Sequence, residues 1–387
     1  MGFIQNSRVI DFRPRLLFFR TIRLSSTKSC EPLKILFCGS DEISIASLKA
    51  LHAEHKASPT TIASIDVACR PGKRVGRGRK IIREVPIKAA AKDLSLTVHE
   101  IDTFTGWTPP HKDPYNLIVA VSFGLLVPRR ILGLAKYGGL NVHPSLLPDF
   151  RGPAPIYHTL LAGDTKTGVT LQTLHESKFD HGTILDQTSF DIPQPETCGV
   201  QELSSISAKR AAEILISGIK KRLFVPPLLP LHPPSSEANS RNAAKIHPSD
   251  RHIDWSSWTW DRIFRYHRIL GSLWNHAAVP DSNGSYSHKR IIFMDLDTVE
   301  PDIMPEFILP VEPGIPFALH DSFTEDQDRP IYVLSSDKRI IRVNKIKVEG
   351  YPSKGAYQAA IKAKIMDPLI EEEVHDNTIS RFHSQLQ

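Results

Sequence analysis

Short apolar runs alternate with helically spaced segments through the first half of this chain, and that alternation restricts its fold more than any other feature. Leu33–Phe37 is a short apolar strand closed by a turn at Gly39 and Ser40, and the spacing of Ile43–His52 predicts a helix. Ser64–Ala68 reads as a second strand. Residues 117–122, Leu-Ile-Val-Ala-Val-Ser, read as a buried strand followed by Gly124 and Pro128. A helix over 129–136 and a strand over 138–143 come next. Strands alternating with helices predict an α/β fold built on a doubly wound, mostly parallel sheet. The sheet carries no Gly-x-Gly-x-x-Gly, so a dinucleotide is not expected.

Further along, residues 153–162 predict a helix. Gly168–Leu174 and Thr183–Ile192 predict strands flanking a loop around Asp180, and the Ala-rich spacing of 200–222 predicts a closing helix. Residues 225–247 are Pro-rich and polar, the composition of an extended linker. Strand-like runs at 290–294, 331–334 and 340–348 then point to a small β-barrel-like C-terminal domain. The expected boundaries are a core domain at 33–224, a linker at 225–247, a second domain at 248–370 and a tail at 371–387.

The 387 residues, 41% hydrophobic and 23% charged, are ordinary for a soluble protein of two to three domains. The net charge of +6 suits an anionic partner such as RNA. Cys30, Cys38, Cys69 and Cys198 form no Cys-x-x-Cys pair, so neither a metal site nor a disulfide framework is expected, and a reducing compartment fits. No apolar run approaches the length of a membrane span. The first residues read as an address. Arg8, Arg13, Arg15, Arg20, Arg23 and Lys28 face a single acid, Asp11, with Leu16–Phe19 among them and Ser25 and Ser26 behind. An Arg-rich, Ser-containing, acid-poor start predicts a mitochondrial transit peptide over residues 1–29 and residence in the mitochondrial matrix. A basic arm that touches RNA is the alternative.

Chemistry concentrates in Asn141-Val142-His143, which runs into Ser145-Leu146-Leu147-Pro148 and then Arg151-Gly152. Residues i and i+2 of a strand project to one face, so Asn141 and His143 can enter one site at a strand end. An imidazole moves protons near neutral pH, and a carboxamide N–H stabilises the oxyanion that forms when a carbonyl is attacked. Asp180, in Phe179-Asp180-His181-Gly182, adds a carboxylate. These groups suffice to move an acyl unit between two amines.

The run from Asn141 to Leu185, with Asn-x-His, Ser-Leu-Leu-Pro, Arg-Gly-x-x-Pro-Ile, Ala-Gly-Asp, Thr-Gly-Val-Thr and Asp-x-Gly, resembles the core of the methionyl-tRNA formyltransferases. The likeness extends over most of 33–350 and weakens toward the end. The resemblance implies a formyltransferase catalytic domain at 33–224 and a tRNA-binding barrel of the oligonucleotide-binding kind behind it. It implies 10-formyltetrahydrofolate as formyl donor, initiator methionyl-tRNA as acceptor, and Asn141, His143 and Asp180 as catalytic residues, a chemistry that requires no metal. A folate pocket is expected from Phe123, Gly124, Leu125 and Leu126 on one side and from Ser145, Leu146, Leu147 and Pro148 on the other, with both leucines of the second run packing on the ligand. A monomer without membrane contact is expected.

Arg70, Lys73, Arg74, Arg77, Arg79 and Lys80 are interleaved with three glycines and no acid, which suggests a mobile loop whose cations pair with tRNA phosphates. Lys289, Arg290, Lys338, Arg339, Arg342, Lys345 and Lys347 offer a second basic patch, although strand alternation would put Arg342 away from Lys345 and Lys347. Two rivals stand beside this reading. One is formyl transfer to a small amine such as glycinamide ribonucleotide; the other is a non-catalytic RNA-binding protein on the same scaffold.

Overall fold

The computed structural model describes residues 28–110, 115–231, 240–280, 283, 285–299, 312–319 and 329–366. The expected transit segment through residue 27, the tail 371–387 and the middle of the expected linker lie outside the described residues. In chain order the first part holds β1 (Leu33–Gly39), α1 (Glu42–Ala57), β2 (Ile62–Cys69), β3 (Lys73–Val75), β4 (Ile81–Arg83), α2 (Pro86–Asp93), β5 (Thr97–Glu100), β6 (Leu117–Val121), α3 (Arg129–Leu132), β7 (Gly139–His143), α4 (Pro155–Ala162), β8 (Lys166–Thr173), β9 (Ile184–Asp191) and α5 (Val200–Lys220).

Seven of these strands form one sheet in the order β5-β2-β1-β6-β7-β8-β9. The pairings from β5 to β7 are parallel, and β8 and β9 add an antiparallel edge. Alternation along β1 explains why both faces are covered. Leu33, Ile35 and Phe37 join the core beneath α1 and α5, whereas Leu36 and Cys38 join a smaller cluster with Ile118 and Ala120 on the opposite face. Each fully buried Leu, Ile or Phe contributes about 1.5–3 kcal/mol. From β1 the strands are laid down outward through β2 to β5, and the chain then crosses back to β6 and β7. The carboxyl ends of β1 and β6 therefore flank the point where the strand order reverses, the position at which open α/β sheets bind ligands.

The helix expected over 129–136 is only one turn long and stops at Gly133. The segment 70–80, expected as a mobile loop, instead enters a two-stranded hairpin in which Lys73, Arg74 and Val75 pair with Arg83, Ile82 and Ile81. Val75, Ile81 and Ile82 supply strand-forming residues that the charge pattern obscured.

The second part contains α6 (Trp260–Leu270), β10 (Leu273–Pro280), β11 (Tyr286–Thr298), β12 (Ile331–Leu334), β13 (Ile340–Val348), β14 (Lys354–Gly355) and α7 (Ala356–Lys362). Its five strands make a separate antiparallel sheet, β10-β11-β13-β12 with β14 on β13, over its own core of Ile253, Trp255, Ile263, Phe293 and Ile341. One correction arises here. Arg342, Lys345 and Lys347 are all exposed. Val343 faces Leu296 and Lys345 faces Asp295, so Asn344 is an extra residue in the ladder. This bulge resets the alternation and brings the three cations to solvent together.

Candidate active site

Asn141 and His143 end β7, and their side chains meet Asp180 from the loop between β8 and β9. Asn141 Nδ2 donates to Asp180 Oδ1 at 3.1 Å. His143 Nδ1 lies 3.4 Å from the same oxygen, and both side chains of that pair are nearly buried. His143 Nε2 lies 2.8 Å from the carbonyl oxygen of Phe150. A carbonyl only accepts, so Nε2 carries a proton and Nδ1 is the nitrogen beside the carboxylate.

Asp180 is fixed from several directions. Gly152 N donates to its Oδ2 at 3.0 Å, Gln172 Nε2 to Oδ1 at 3.3 Å and Arg151 Nε to its carbonyl oxygen at 2.8 Å. Its backbone is left-handed, with φ +56°, a conformation Asp tolerates better than most residues. Behind it, a Cβ on Gly182 would fall 1.7 Å from Thr173 O, so only glycine lets this loop close onto β8.

The trio opens on a cleft of about 1730 Å³ lined by Asp41 after β1, Ser122 to Val127 after β6, and one face each of α1 and α5. Phe123, Gly124, Leu125 and Leu126 line this cleft. Ser145 to Pro148 do not. Ser145 Oγ donates to Asp149 O, Leu147 N to Thr170 Oγ1, and Gln187 Nε2 to Leu147 O, which ties this run to β8 and β9 in the wall behind His143. Leu146 fills the space over Gly168, where a Cβ would come within 2.4 Å of it. The expected packing of both leucines on a ligand is therefore corrected: Leu146 packs on β8, Leu147 is buried, and neither lines the cleft. Asp41 caps α1 by accepting from Ser44 N at 3.1 Å, and burial raises its carboxyl pKa despite hydrogen bonds from Ser44 and Ser122.

Sequence reasoning did not single out Gln172, Asp41, the Ser122 side chain or the Phe150 carbonyl. Gln172 lies opposite Asn141 only because of the antiparallel β7–β8 register, which no local pattern announces. Of the expected RNA contacts, Lys73, Arg74, Arg77, Arg79 and Lys80 are exposed on the hairpin. Arg70 is set apart by its 2.5 Å ion pair with Asp102. In the second part, Lys289, Arg290 and Arg339 sit over the rings of Tyr351, Trp274 and Trp260. Among the described residues no helix is long and apolar enough to cross a membrane, and no group of three or more His, Cys, Asp or Glu is placed to hold a metal ion.

Residues 33–218 match the family model described as Formyl transferase, which is the class that the sheet and the Asn-His-Asp trio define. The mitochondrial methionyl-tRNA formyltransferase of Homo sapiens is 32% identical over 260 residues, covering 65% of this chain and 60% of the relative. The mitochondrial enzyme of Saccharomyces cerevisiae (strain ATCC 204508 / S288c) is 42% identical over 193 residues, covering 45% of this chain and 48% of the relative. The methionyl-tRNA formyltransferase of Ehrlichia ruminantium (strain Welgevonden) is 33% identical over 233 residues, covering 57% and 69%. The chain belongs to the methionyl-tRNA formyltransferase family. Its match spans less than two thirds of the human and Saccharomyces relatives' lengths.

Proposed function

We propose that this chain transfers the formyl group of 10-formyltetrahydrofolate to the α-amine of methionyl initiator tRNA in the mitochondrial matrix. The observation that carries this reading is the convergence of Asn141, His143 and Asp180 at the end of a cleft that opens at the sheet's reversal point, in a chain of this family.

The residues divide the work as follows. The neutral α-amine attacks the formyl carbon, and the formyl oxygen gains negative charge. Asn141 Nδ2 has two N–H groups; one is held by Asp180 and the second is available to that oxygen. The Nε2–H of His143 is held by Phe150 O, which leaves the Nδ1 lone pair to take the proton from the attacking nitrogen. Asp180, 3.4 Å from Nδ1, stabilises the imidazolium that results. Nδ1 then returns the proton to folate N10 as the C–N10 bond breaks, leaving N-formylmethionyl-tRNA and tetrahydrofolate. Acid–base catalysis in such sites supplies roughly 10²–10⁴-fold and one oxyanion donor roughly 10²–10³-fold.

The donor's ring system fits the cleft between Phe123–Leu126 and the α1 end, with Asp41 and Ser122 as its polar contacts. The volume exceeds the roughly 300–1,000 Å³ of ordinary ligand pockets, leaving room for the acceptor's aminoacyl end. The exposed cations of the hairpin contact phosphates of the tRNA. The domain scheme assigns 33–224 to catalysis and 248–370 to RNA binding, with the transit segment at 1–29. Formation of N-formylmethionine from charged initiator tRNA and the folate donor tests the reaction, and its absence would refute it. Fusion of residues 1–35 to a reporter tests the address; a diffuse cytosolic signal would refute that part alone.

A further inference from the structure

The loop that carries Phe150 is held between two layers, and only one of them is the catalytic trio. On the active-site side, Phe150 O accepts from His143 Nε2 and Gly152 N donates to Asp180 Oδ2. On the far side runs the segment 240–243, which the sequence placed in an extended linker. Instead of spanning free of contacts, it pairs with the loop. Phe150 N donates to Arg241 O at 2.6 Å, Ala243 N to Arg151 O at 2.7 Å and Ala154 N to Ala243 O at 3.2 Å. Arg151 and Asn242 form a parallel bridge. Gly152, at φ +121°, allows this approach, because a Cβ there would meet Ala243 O at 2.5 Å.

The side chain of Arg241 closes the arrangement. Its Nη2 and Nε donate to Asp149 Oδ2 at 2.7 and 3.1 Å, and its Nη1 donates to Asp164 Oδ1 at 2.8 Å. Its guanidinium carbon lies 4.1 Å from the centroid of the Phe150 ring. One cation therefore grips the residue before Phe150, the turn after α4 and the Phe150 ring itself. Phe150 needs such a grip. Its φ of +57° is a conformation that a bulky residue keeps only when its surroundings impose it.

We infer that Arg241 is a positioning residue for His143, acting through the Phe150 carbonyl, so that the segment joining the two halves of the chain is part of the catalytic apparatus. This rests on the formyl-transfer reading for its kinetic consequence and on the geometry alone for its structural one. The Arg241 side chain is 45% exposed, so its ion pairs add little to global stability. Their effect is directional. The planar fork fixes two carboxylates and a ring at once, which a lysine cannot reproduce. A displacement of about 1 Å at a general base is enough to cost roughly 100-fold in rate.

The test compares Arg241→Ala and Arg241→Lys with the unaltered full-length chain by kinetics and by amide hydrogen exchange. Arg241→Ala is expected to lower kcat about tenfold or more while both KM values stay within roughly threefold, as a displaced base requires. Arg241→Lys should fall between the two, and added guanidinium ion should raise kcat of Arg241→Ala but not of the unaltered enzyme. Exchange at the Phe150 and Ala154 amides should accelerate in Arg241→Ala. A kcat within about twofold of the unaltered enzyme, or unchanged exchange at those amides, overturns the inference. Should Arg241→Ala fail to fold, Arg241→Lys and Asp149→Asn carry the same expectations in milder form. If the unaltered chain transfers no formyl group, the functional reading fails, and the exchange measurement still decides whether Arg241 holds the loop.

Discussion

The carbonyl oxygen of Phe150 lies 2.8 Å from His143 Nε2, so the ring nitrogen away from Asp180 is occupied by backbone and the nitrogen beside Asp180 is the one left for chemistry. Under the proposed reaction the proton-transfer role falls to that single atom, and the neighbouring groups acquire separable tasks.

Asn141→Ala and Asp180→Ala should each lower kcat by about 100-fold, roughly 2.7 kcal/mol of barrier, with tRNA affinity within about twofold of normal. Steady-state kinetics beside a direct tRNA binding measurement checks this. Full turnover in Asn141→Ala would move oxyanion stabilisation to another donor, for which Gln172, bonded to the same Asp180 oxygen, is a candidate.

Gly182→Ala should destabilise the fold by about 2–4 kcal/mol, because its methyl group would lie 1.7 Å from Thr173 O and must push the Asp180 loop off β8. Urea unfolding gives the magnitude. A loss below about 0.5 kcal/mol would show that the loop shifts without strain.

Acid should erode one contact selectively. Burial alone would raise the Asp149 carboxyl pKa; hydrogen bonds from Arg241 outweigh it and hold that pKa below the usual 3.8. A carboxyl depressed in the folded state contributes stability that is present above its unfolded pKa and lost as pH falls through the folded value. The Tm difference between the unaltered chain and Asp149→Asn should therefore be largest near neutral pH and shrink below pH 3.8. A difference that grows on acidification would reverse the sign of the coupling.

Most of this geometry was legible in particular residues, and the failures have physical causes. The near-continuous apolar runs Leu33–Phe37 and Leu117–Val121 specified strands buried on both faces, because successive side chains leave water on opposite sides of the sheet. Asn141 and His143 share a face through the two-residue period of β7, so their convergence was readable; Gln172 joins them through long-range register, which was not. Ser145–Pro148 looked like a ligand wall because it follows β7, yet hydrogen bonds with Thr170 and Gln187 tie it to β8 and β9 instead. Residues 225–247 had the composition of a spacer, and composition carries no information about the Gly152 gap into which 242 and 243 fit. The bulge at Asn344, which gathers Arg342, Lys345 and Lys347, was equally invisible to a strict alternation rule.

The hairpin should contribute affinity rather than chemistry. Arg74, Arg77 and Arg79 are exposed, so replacing all three with Ala should raise KM for tRNA and flatten its dependence on salt, since each phosphate contact releases counterions. KM for the folate donor should stay within about twofold, as none of these residues lines the cleft. A KM for tRNA that is unchanged across a salt series would reduce the hairpin to a solvated surface.

The most direct measurement is the rate at which N-formylmethionine appears on charged initiator tRNA with 10-formyltetrahydrofolate, for the unaltered chain beside His143→Ala. Formyl transfer by the unaltered chain, with a rate about 100-fold lower in a folded His143→Ala, is the expected result. No transfer by the unaltered chain, or equal rates in the two, would contradict it.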